Sequence, residues 1–261
     1  MTILEEIITH KKKEVAERKE LKPVRILEQS FYFNSKIVSL KQQLLKPGQS
    51  GIIAEFKRRS PSKGIINENA SVEGVTEGYI QAGASALSIL TDGKFFGGSN
   101  DDLTKARKIN FSPILRKDFI VDEYQILEAK SIGADAILLI AACLTKIEIE
   151  KFAAFTKSLE LEVLLELHDE DELKMISNEV DLIGINNRNL KTFEVDLEIS
   201  KKMAGKIPSS FTKIAESGID SPEKIKDLKN YGFKGFLIGE HFMKTSQPEK
   251  TCEEFIKQLM N

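Results

Sequence analysis

The stretch that decides the fold is Ile52-Ile53-Ala54-Glu55-Phe56-Lys57-Arg58-Arg59-Ser60-Pro61. Its first half is a nearly continuous apolar run, which suits a strand buried on both faces of a parallel sheet. The competing architecture, an open doubly wound sheet, usually places a glycine-rich turn after its first strand. A lysine and two arginines stand there instead. The stretch therefore favours a (β/α)8 TIM barrel over an open α/β sheet.

The same pattern recurs along the rest of the chain. Short apolar runs alternate with amphipathic segments, and the runs begin roughly 20–35 residues apart, the size of a βα unit. Several of the segments between them start at residues that cap helices: Asp122, Thr145, Asp169 and the pair Ser221-Pro222. The predicted strands are Ile52–Phe56, Ala86–Leu90, Pro113–Arg116, Ala136–Ile140, Val163–Leu167, Leu182–Asn186, Thr212–Glu216 and Gly235–Gly239.

Two helices are predicted ahead of the first strand. Apolar residues recur at helical spacing up to about Glu20, and a second helix is expected over 34–45, before Lys46-Pro47-Gly48 stops it. We expect residues 1–261 to form one barrel domain, with 1–48 as an N-terminal helical extension. These two helices are expected to cover the bottom or the side of the barrel.

Composition excludes several classes of protein. The 261 residues include 38 Lys and Arg and 40 Asp and Glu, so no basic excess is available to bind nucleic acid. The N-terminal segment mixes lysine and glutamate and resembles neither a signal peptide nor a membrane span. Cys143 and Cys252 lie far apart without a Cys-x-x-Cys motif, which indicates a reducing compartment. We expect a soluble, cytoplasmic protein with no membrane partner.

Four predicted strands end with charged or amide groups on their inward face. Because side chains alternate along a strand, Glu55 and Lys57 lie on the same, inward face of the first strand. By the same alternation the inward residues at the ends of later strands are Lys117, Glu166, Asn186 and Arg188. Taken singly, any of these residues could be a solvent-exposed charged residue at the end of a strand, without a functional role. Their recurrence on four strands favours an active site, because the C-terminal ends of barrel strands carry the catalytic groups.

Glycines stand at the ends of the last two predicted strands, in Glu216-Ser217-Gly218-Ile219 and Ile238-Gly239-Glu240. These loops are the usual phosphate site of the fold, since glycine lets backbone N–H groups approach an anion. The alternative is that they only form tight turns. Lys57 would complete the neutralisation of a phosphate at one end of a longer substrate.

Other candidate sites are weaker. For His168 we expect a surface role at a helix start, although it follows Glu166 closely. The aromatic residues of the loop 95–99 could wall a pocket or plug the barrel as core, and the sequence leaves both open. Metal-binding and nucleophile motifs are missing from the sequence, which favours an acid–base enzyme without metal or cofactor.

Taken in order, these motifs resemble the indole-3-glycerol-phosphate synthase family over nearly the whole chain. Any single motif is weak, but their order and spacing are specific. The resemblance rests on Ile53-Ala54-Glu55-Phe56-Lys57-Arg58-Arg59-Ser60-Pro61-Ser62, Phe95-Phe96-Gly97-Gly98-Ser99, Pro113-Ile114-Leu115-Arg116-Lys117-Asp118-Phe119, Glu166-Leu167-His168, Ile185-Asn186-Asn187-Arg188 and Ala215-Glu216-Ser217-Gly218.

The resemblance implies an enzyme of tryptophan biosynthesis. Its substrate would be 1-(2-carboxyphenylamino)-1-deoxyribulose 5-phosphate, and its products indole-3-glycerol phosphate, carbon dioxide and water. It implies no cofactor. We expect a monomer that could associate with other enzymes of the pathway. Two alternatives are a related isomerase, for which Cys143 lacks a matching aspartate, and an inactive barrel that binds a phosphate ligand or a partner.

The resemblance also implies roles for individual residues. Lys117 would be the general acid, Glu166 a base or electrostatic partner, and Glu55 and Lys57 further catalytic groups, with the division of proton transfers left open. Substrate contacts are implied for Ser60, Phe96, Phe119, Leu138, Asn186, Arg188, Glu216 and Ser217, and phosphate contacts for Lys57, Gly218, Gly239 and the N–H of Glu240.

Overall fold

A computed structural model describes residues 2–261. Eight parallel strands close into a barrel in the order β1-β10-β9-β8-β7-β6-β5-β4, and β2 and β3 form a separate antiparallel hairpin. The predicted (β/α)8 barrel is confirmed. The strands are β1 Ile52–Phe56, β2 Arg59–Ser60, β3 Gly64–Ile65, β4 Ala86–Leu90, β5 Ile114–Lys117, β6 Ala136–Ile140, β7 Glu162–Leu167, β8 Leu182–Asn186, β9 Thr212–Glu216 and β10 Phe233–Ile238.

Helices surround the barrel and precede it. No helix within residues 2–261 combines the length and the apolar character needed to cross a bilayer. The helices are α1 Ile3–Leu21, α2 Val24–Glu28, α3 Leu40–Leu45, α4 Val72–Gln81, α5 Asn100–Ile109, α6 Glu123–Ile132, α7 Lys146–Ser158, α8 Glu198–Ala204, α9 Pro222–Asn230, α10 Glu240–Met243 and α11 Pro248–Met260, with 3-10 turns at Ala141–Cys143 and Glu170–Met175.

The capping residues start their helices for the expected reason. The side chains of Asp122 and Thr145 accept hydrogen bonds from backbone N–H groups in the first turns of α6 and α7. Pro222 occupies the first turn of α9, where its missing N–H costs nothing. Asp169 also caps a turn, but a 3-10 turn rather than an α-helix.

Burial on both faces explains the apolar strands. The outward side chains pack against the helices, and the inward ones, such as Ile53, Leu115 and Leu164, fill the barrel interior. The last strand was misplaced by the sequence. It begins at Phe233 rather than Gly235, and Gly239 is already the residue that precedes α10.

The N-terminal extension differs most from expectation. The second helix is shorter than predicted, and α2 was not predicted at all. Leu40 and Leu44 of α3 join the interior cluster, and the N–H of Lys41 donates to Glu162 at the start of β7, so α3 closes the bottom of the barrel. In contrast, α1 lies at the opposite end, where Ile7 lines the cavity at the strand C-termini. The expectation that both helices cover the bottom or side is therefore wrong for α1.

Candidate active site

A cavity of about 690 Å³ opens at the C-terminal ends of the barrel strands. It is lined by every residue that the sequence singled out for the site. Glu55 and Lys57, at the end of β1 and just after it, therefore converge with Lys117 of β5 and Glu166 of β7 rather than facing separate surfaces. These residues are Glu55, Lys57, Ser60, Phe96, Lys117, Phe119, Leu138, Glu166, Asn186, Arg188, Glu216, Ser217, Gly218, Gly239 and Glu240.

Lys117 forms the centre of the charged cluster. Its ammonium nitrogen lies 2.7 Å from a carboxylate oxygen of Glu166 and 3.2 Å from one of Glu216. Burial opposes the charge on Lys117, but the carboxylates of Glu166, Glu216 and Glu55 outweigh it and raise its pKa above the usual range. Lys117 is thus a cation with a proton to give, held at the end of β5.

Glu216 differs from Glu166 although both face Lys117. Burial and the neighbouring Glu166 carboxylate raise the pKa of Glu216 to about 8. Burial also disfavours the charge of Glu166, but Lys117 and His168 prevail and hold its pKa well below the ordinary value. Gly184 makes room for this arrangement, because a Cβ there would lie 2.3 Å from Glu216 Oε1. Of the two carboxyl groups beside Lys117, Glu166 therefore holds its charge more strongly and Glu216 binds a proton more readily.

His168 corrects the sequence interpretation. Its side chain is only 8% exposed, and its Nε2 lies 3.2 Å from Glu166 Oε1, on the side of the carboxylate away from Lys117. Burial lowers its proton affinity, but Glu166 and Glu172 overcome this and raise the pKa of His168 to about 10. The expected surface role is wrong: the His168 side chain is buried behind the Glu166 carboxylate.

Glu55 and Lys57 form a second ion pair on β1 and the residue after it. Lys57 Nζ donates to Glu55 Oε1 over 2.7 Å, and Ser88 Oγ lies 3.5 Å from the other carboxylate oxygen. Gly239 packs against this carboxylate, since a Cβ there would come within 2.5 Å of Glu55 Oε1. The glycine after the last strand thus brings the backbone of that loop against the acid of the first.

The edge of the cavity after β9, next to the loop that carries Gly239, is a tight turn. Ser217 and Gly218 both have left-handed backbones, with φ of 66° and 76°. A Cβ on Gly218 would lie 2.4 Å from Val195, so a larger residue there displaces the loop after β8. Lys224 of α9 donates to the carbonyl oxygen of Gly218 over 3.0 Å and pairs with Asp220 over 2.8 Å, so it fastens the turn to the helix.

Glu240 uses its side chain as well as its backbone. Its carboxylate accepts a hydrogen bond from Arg188 over 3.1 Å and lies 3.4 Å from Lys63, which is in the β2–β3 hairpin. The amide oxygen of Asn186 accepts from the N–H of Arg188 over 3.0 Å. Three loops around the cavity mouth are therefore joined by Glu240.

Comparison with known proteins identifies the family. The family model described as indole-3-glycerol phosphate synthase matches residues 4–255. The chain belongs to the indole-3-glycerol phosphate synthase family. An indole-3-glycerol phosphate synthase of Bacteroides thetaiotaomicron is 50% identical over 257 residues, which cover 98% of each chain. That of Campylobacter fetus subsp. fetus is 46% identical, covering 93% of this chain and 94% of the relative. The predicted decarboxylating lyase of tryptophan biosynthesis is confirmed.

Solved structures support the fold alone. A thiamine phosphate pyrophosphorylase from Pyrococcus furiosus aligns with a TM-score of 0.61 at 16% identity, covering 85% of this chain and 98% of the other. A mutant tryptophan synthase α-subunit from the same organism gives 0.60 at 13% identity, covering 81% and 98%. Barrels with very different sequences therefore share this architecture.

The rings of Phe96 and Phe119, called the aromatic wall below, settle whether the loop 95–99 lines a pocket or belongs to the core. Phe96 and Phe119 line the cavity with ring centroids 5.9 Å apart, whereas Phe95 turns away and packs edge-on against His10. The loop therefore both walls the pocket and contributes to the core.

Several lining residues were missed by the sequence reading. They are Ile3, Leu4 and Ile7 of α1, the loop residues Phe193 and Val195, and the lysines Lys63, Lys224 and Lys244. The apolar face of α1 was visible in the sequence, but periodicity does not indicate which end of a barrel a helix covers. The lysines belong to loops and helix starts, where no alternation marks an inward side chain.

Proposed function

We propose that the chain converts 1-(2-carboxyphenylamino)-1-deoxyribulose 5-phosphate into indole-3-glycerol phosphate, carbon dioxide and water by acid–base catalysis in this cavity. The observation that carries the proposal is the position of Lys117, a buried cation between Glu166 and Glu216 beside an aromatic wall. Such grouping of acids and a base is costly for stability and suits proton transfer.

Ring closure is assigned to Lys117. The aromatic carbon that bears the carboxylate attacks the ketone carbon, and the new carbon–carbon bond places negative charge on the ketone oxygen. Aromatic carbon is a weak nucleophile, so the reaction needs a proton or a cation at that oxygen. Lys117 donates its proton there, and Glu166 and Glu216 hold the ammonium in position.

Loss of carbon dioxide follows from the new bond. When the carboxyl group leaves, its bonding electron pair returns to the ring system, so no further acid is required. Phe96, Phe119 and Leu138 line the cavity and are proposed to surround the substrate ring. Ser60 and Arg188 are proposed to contact the carboxylate and orient it before it leaves.

Dehydration completes the indole. The hydroxyl group formed in the first step leaves as water after it accepts a proton, and a base removes a proton from the carbon next to the nitrogen. Lys57 and Glu216, whose raised pKa favours the protonated form, are candidates for the acid, and Glu55 and Glu166 for the base. Asn186 is proposed to hold the substrate hydroxyl groups.

The phosphate is assigned to the glycine-lined edge of the cavity. Backbone N–H groups of Gly218, Gly239 and Glu240, with Ser217 and Lys57, would bind it. The left-handed turn at Ser217 and Gly218 supports this assignment, because both residues line the cavity and a glycine lets an anion come close to its backbone N–H. The phosphate is remote from the reacting carbons and provides binding energy that fixes the geometry of the reacting end.

A fluorescence assay with the purified protein tests the function. The expected result is the emission of an indole product on addition of 1-(2-carboxyphenylamino)-1-deoxyribulose 5-phosphate, with release of one equivalent of carbon dioxide. Binding of the substrate with no product would favour the alternative, an inactive barrel that retains a phosphate ligand or a partner.

Four further expectations remain predictions. They are one domain over 1–261 with 1–48 as its extension, a cytoplasmic location, a monomeric state, and association with other enzymes of tryptophan biosynthesis. The two free cysteines support a reducing compartment. Light scattering with size-exclusion chromatography of the purified protein measures the oligomeric state.

A further inference from the structure

Lys11 lies on α1 with no exposed side-chain surface. Its ammonium nitrogen is 2.8 Å from Asp92, 3.0 Å from Asp118 and 2.8 Å from Glu14. Burial disfavours this charge, but Asp118 and Asp92 prevail and raise the pKa of Lys11 above its usual range. A lysine buried so completely is tolerated only when it is paired, and here it is paired with three carboxylates.

Asp92 and Asp118 hold the backbone segments that carry the rings of the aromatic wall. Asp92, two residues after β4, accepts hydrogen bonds from the N–H groups of Phe95 over 2.7 Å and Phe96 over 3.3 Å. Asp118, directly after β5, accepts from the N–H of Phe119 over 2.8 Å. Each aspartate therefore fixes the backbone that carries one ring of the wall, and Lys11 joins the two aspartates.

Asp118 extends the network towards the charged cluster. It accepts a hydrogen bond from Thr91 over 2.7 Å and from Arg116 over 3.2 Å. Burial disfavours its ionised form, but Lys11 and Arg116 overcome this and lower the pKa of Asp118 to about 2. Asp118 is also the residue that follows Lys117, so any movement of its backbone moves the end of β5.

Helix α1 adds aliphatic side chains to the lining of the cavity beside the aromatic wall. Ile7 lies one helical turn before Lys11 and faces the same side, and Ile7 and Leu4 line the cavity. We propose that Lys11 is a positioning residue that joins α1 to the loops after β4 and β5, so that Phe96, Phe119 and Ile7 form the wall for the substrate's aromatic ring. This inference rests on the proposed function.

The proposal predicts that loss of the Lys11 charge affects binding of the aromatic end of the substrate and of its phosphate end differently. Within residues 2–261 the ion pairs of Lys11 reach α1 and the loops after β4 and β5, whereas the glycine-lined edge follows β9 and β10. Loss of the Lys11 charge should therefore weaken recognition of the aromatic end and leave phosphate recognition unchanged. A general loss of folding would weaken both.

The test is Lys11→Met, which keeps the length of the side chain and removes its charge. The Michaelis constant for the full substrate should rise roughly tenfold or more, because misplacing a substrate contact by 1 Å can cost up to 10²-fold. The inhibition constant of inorganic phosphate should stay within about twofold of the wild-type value, because the wall lies apart from the anion site. Circular dichroism and a melting curve establish that the variant is folded.

A matched control is Lys19→Met. Lys19 also joins α1 to the barrel, through a 2.6 Å pair with Asp122, but this pair is exposed, and Asp122 caps the start of α6 rather than bonding to the backbone of Phe96 or Phe119. Both constants should remain at wild-type values. If Lys11→Met does not fold, Asp92→Asn removes one charge and keeps an acceptor for the N–H groups, and it should show the same split to a smaller degree.

Two results would overturn the inference. One is a folded Lys11→Met enzyme with an unchanged Michaelis constant, and the other is an equal rise in that constant and in the phosphate inhibition constant. A wild-type protein that forms no indole product would overturn the proposed function, and this role of Lys11 with it.

Discussion

Both ends of the barrel bury carboxylates, but the partners of those carboxylates differ. At the bottom, Asp135 accepts hydrogen bonds from the N–H groups of Val38 over 2.8 Å and Ile114 over 2.7 Å. Glu162 accepts from the N–H of Lys41 over 3.0 Å. These acids accept from backbone N–H groups, and Asp135 also pairs with the charged Arg107, which does not lose its proton; together these acids attach the extension to the strands.

At the top, the carboxylates face other ionisable side chains. Glu166 lies between Lys117 and His168, and Glu55 pairs with Lys57. Glu216 Oε1 has no hydrogen-bond partner among residues 2–261. Hydrogen bonds from amides favour the ionised carboxylate, whereas acids grouped with other titratable groups around a cavity have the perturbed pKa values that proton transfer uses. The comparison indicates that the carboxylates at the bottom stabilise the fold and that those at the top serve catalysis. The variants below test this difference.

The largest effect is expected at the top, for Lys117→Met. Loss of a general acid should lower turnover by roughly 10² or more, while the fold is retained. The matched control is Lys213→Met, at the opposite end of the barrel, where the lysine donates to the carbonyl oxygens of Ala204 and Tyr231. Steady-state kinetics of both variants measure the difference. Turnover of Lys117→Met within a few-fold of wild type would remove this lysine from the acid role.

A smaller effect is expected for Gly218→Val. The new side chain meets Val195 and blocks the proposed phosphate site, so the Michaelis constant should rise roughly tenfold with a smaller change in turnover. Gly48→Val is the control, because Gly48 has a similar φ of 80° and open space around it. If both variants show the same kinetic change, backbone strain rather than phosphate binding is responsible.

A third effect concerns the stability of Glu216→Gln. The folded-state pKa of Glu216, about 8, lies above its ordinary value of 4.5, so the folded protein holds a proton that the unfolded chain releases. Wild type should therefore lose stability as pH rises from about 5 to 8, and the variant should lose less. Calorimetry should show a melting-temperature difference in favour of the variant that grows with pH, by about 2–4 °C for each kcal/mol. A difference independent of pH would show that Glu216 is ionised throughout.

The smallest effect on catalysis is expected for Asp135→Asn at the bottom. This change breaks a buried pair with Arg107 and should cost about 3 kcal/mol in the free energy of unfolding, because it leaves the arginine without its carboxylate. Turnover of the folded variant should stay within about twofold of wild type. Urea denaturation measures the free energy of unfolding, and steady-state kinetics on the same sample measure turnover. A large fall in turnover without loss of stability would contradict the assignment of a purely structural role to the carboxylates at the bottom.

Most of the barrel could be predicted because its signal is local. A strand buried on both faces needs an apolar run, so five of the eight predicted runs coincide with strands to the residue. The alternation of side chains then places Glu55, Lys117 and Glu166 inward. The misplaced start of β10 has the same origin, since Lys234 interrupts the apolar run and concealed the first residues of the strand.

The sequence by itself determined the order of the strands, the inward acids and bases, and the family, since each follows from residues that are close in the chain or from motifs in a given order. Tertiary structure alone decided that α1 lies over the active site, that Lys11 is buried between two loops, and that His168 stands behind Glu166. The reason is that these arrangements depend on charges that meet across long separations, such as Lys11 and Asp118. Burial sets the strength of such pairs, and burial is a property of the closed barrel rather than of any segment within it.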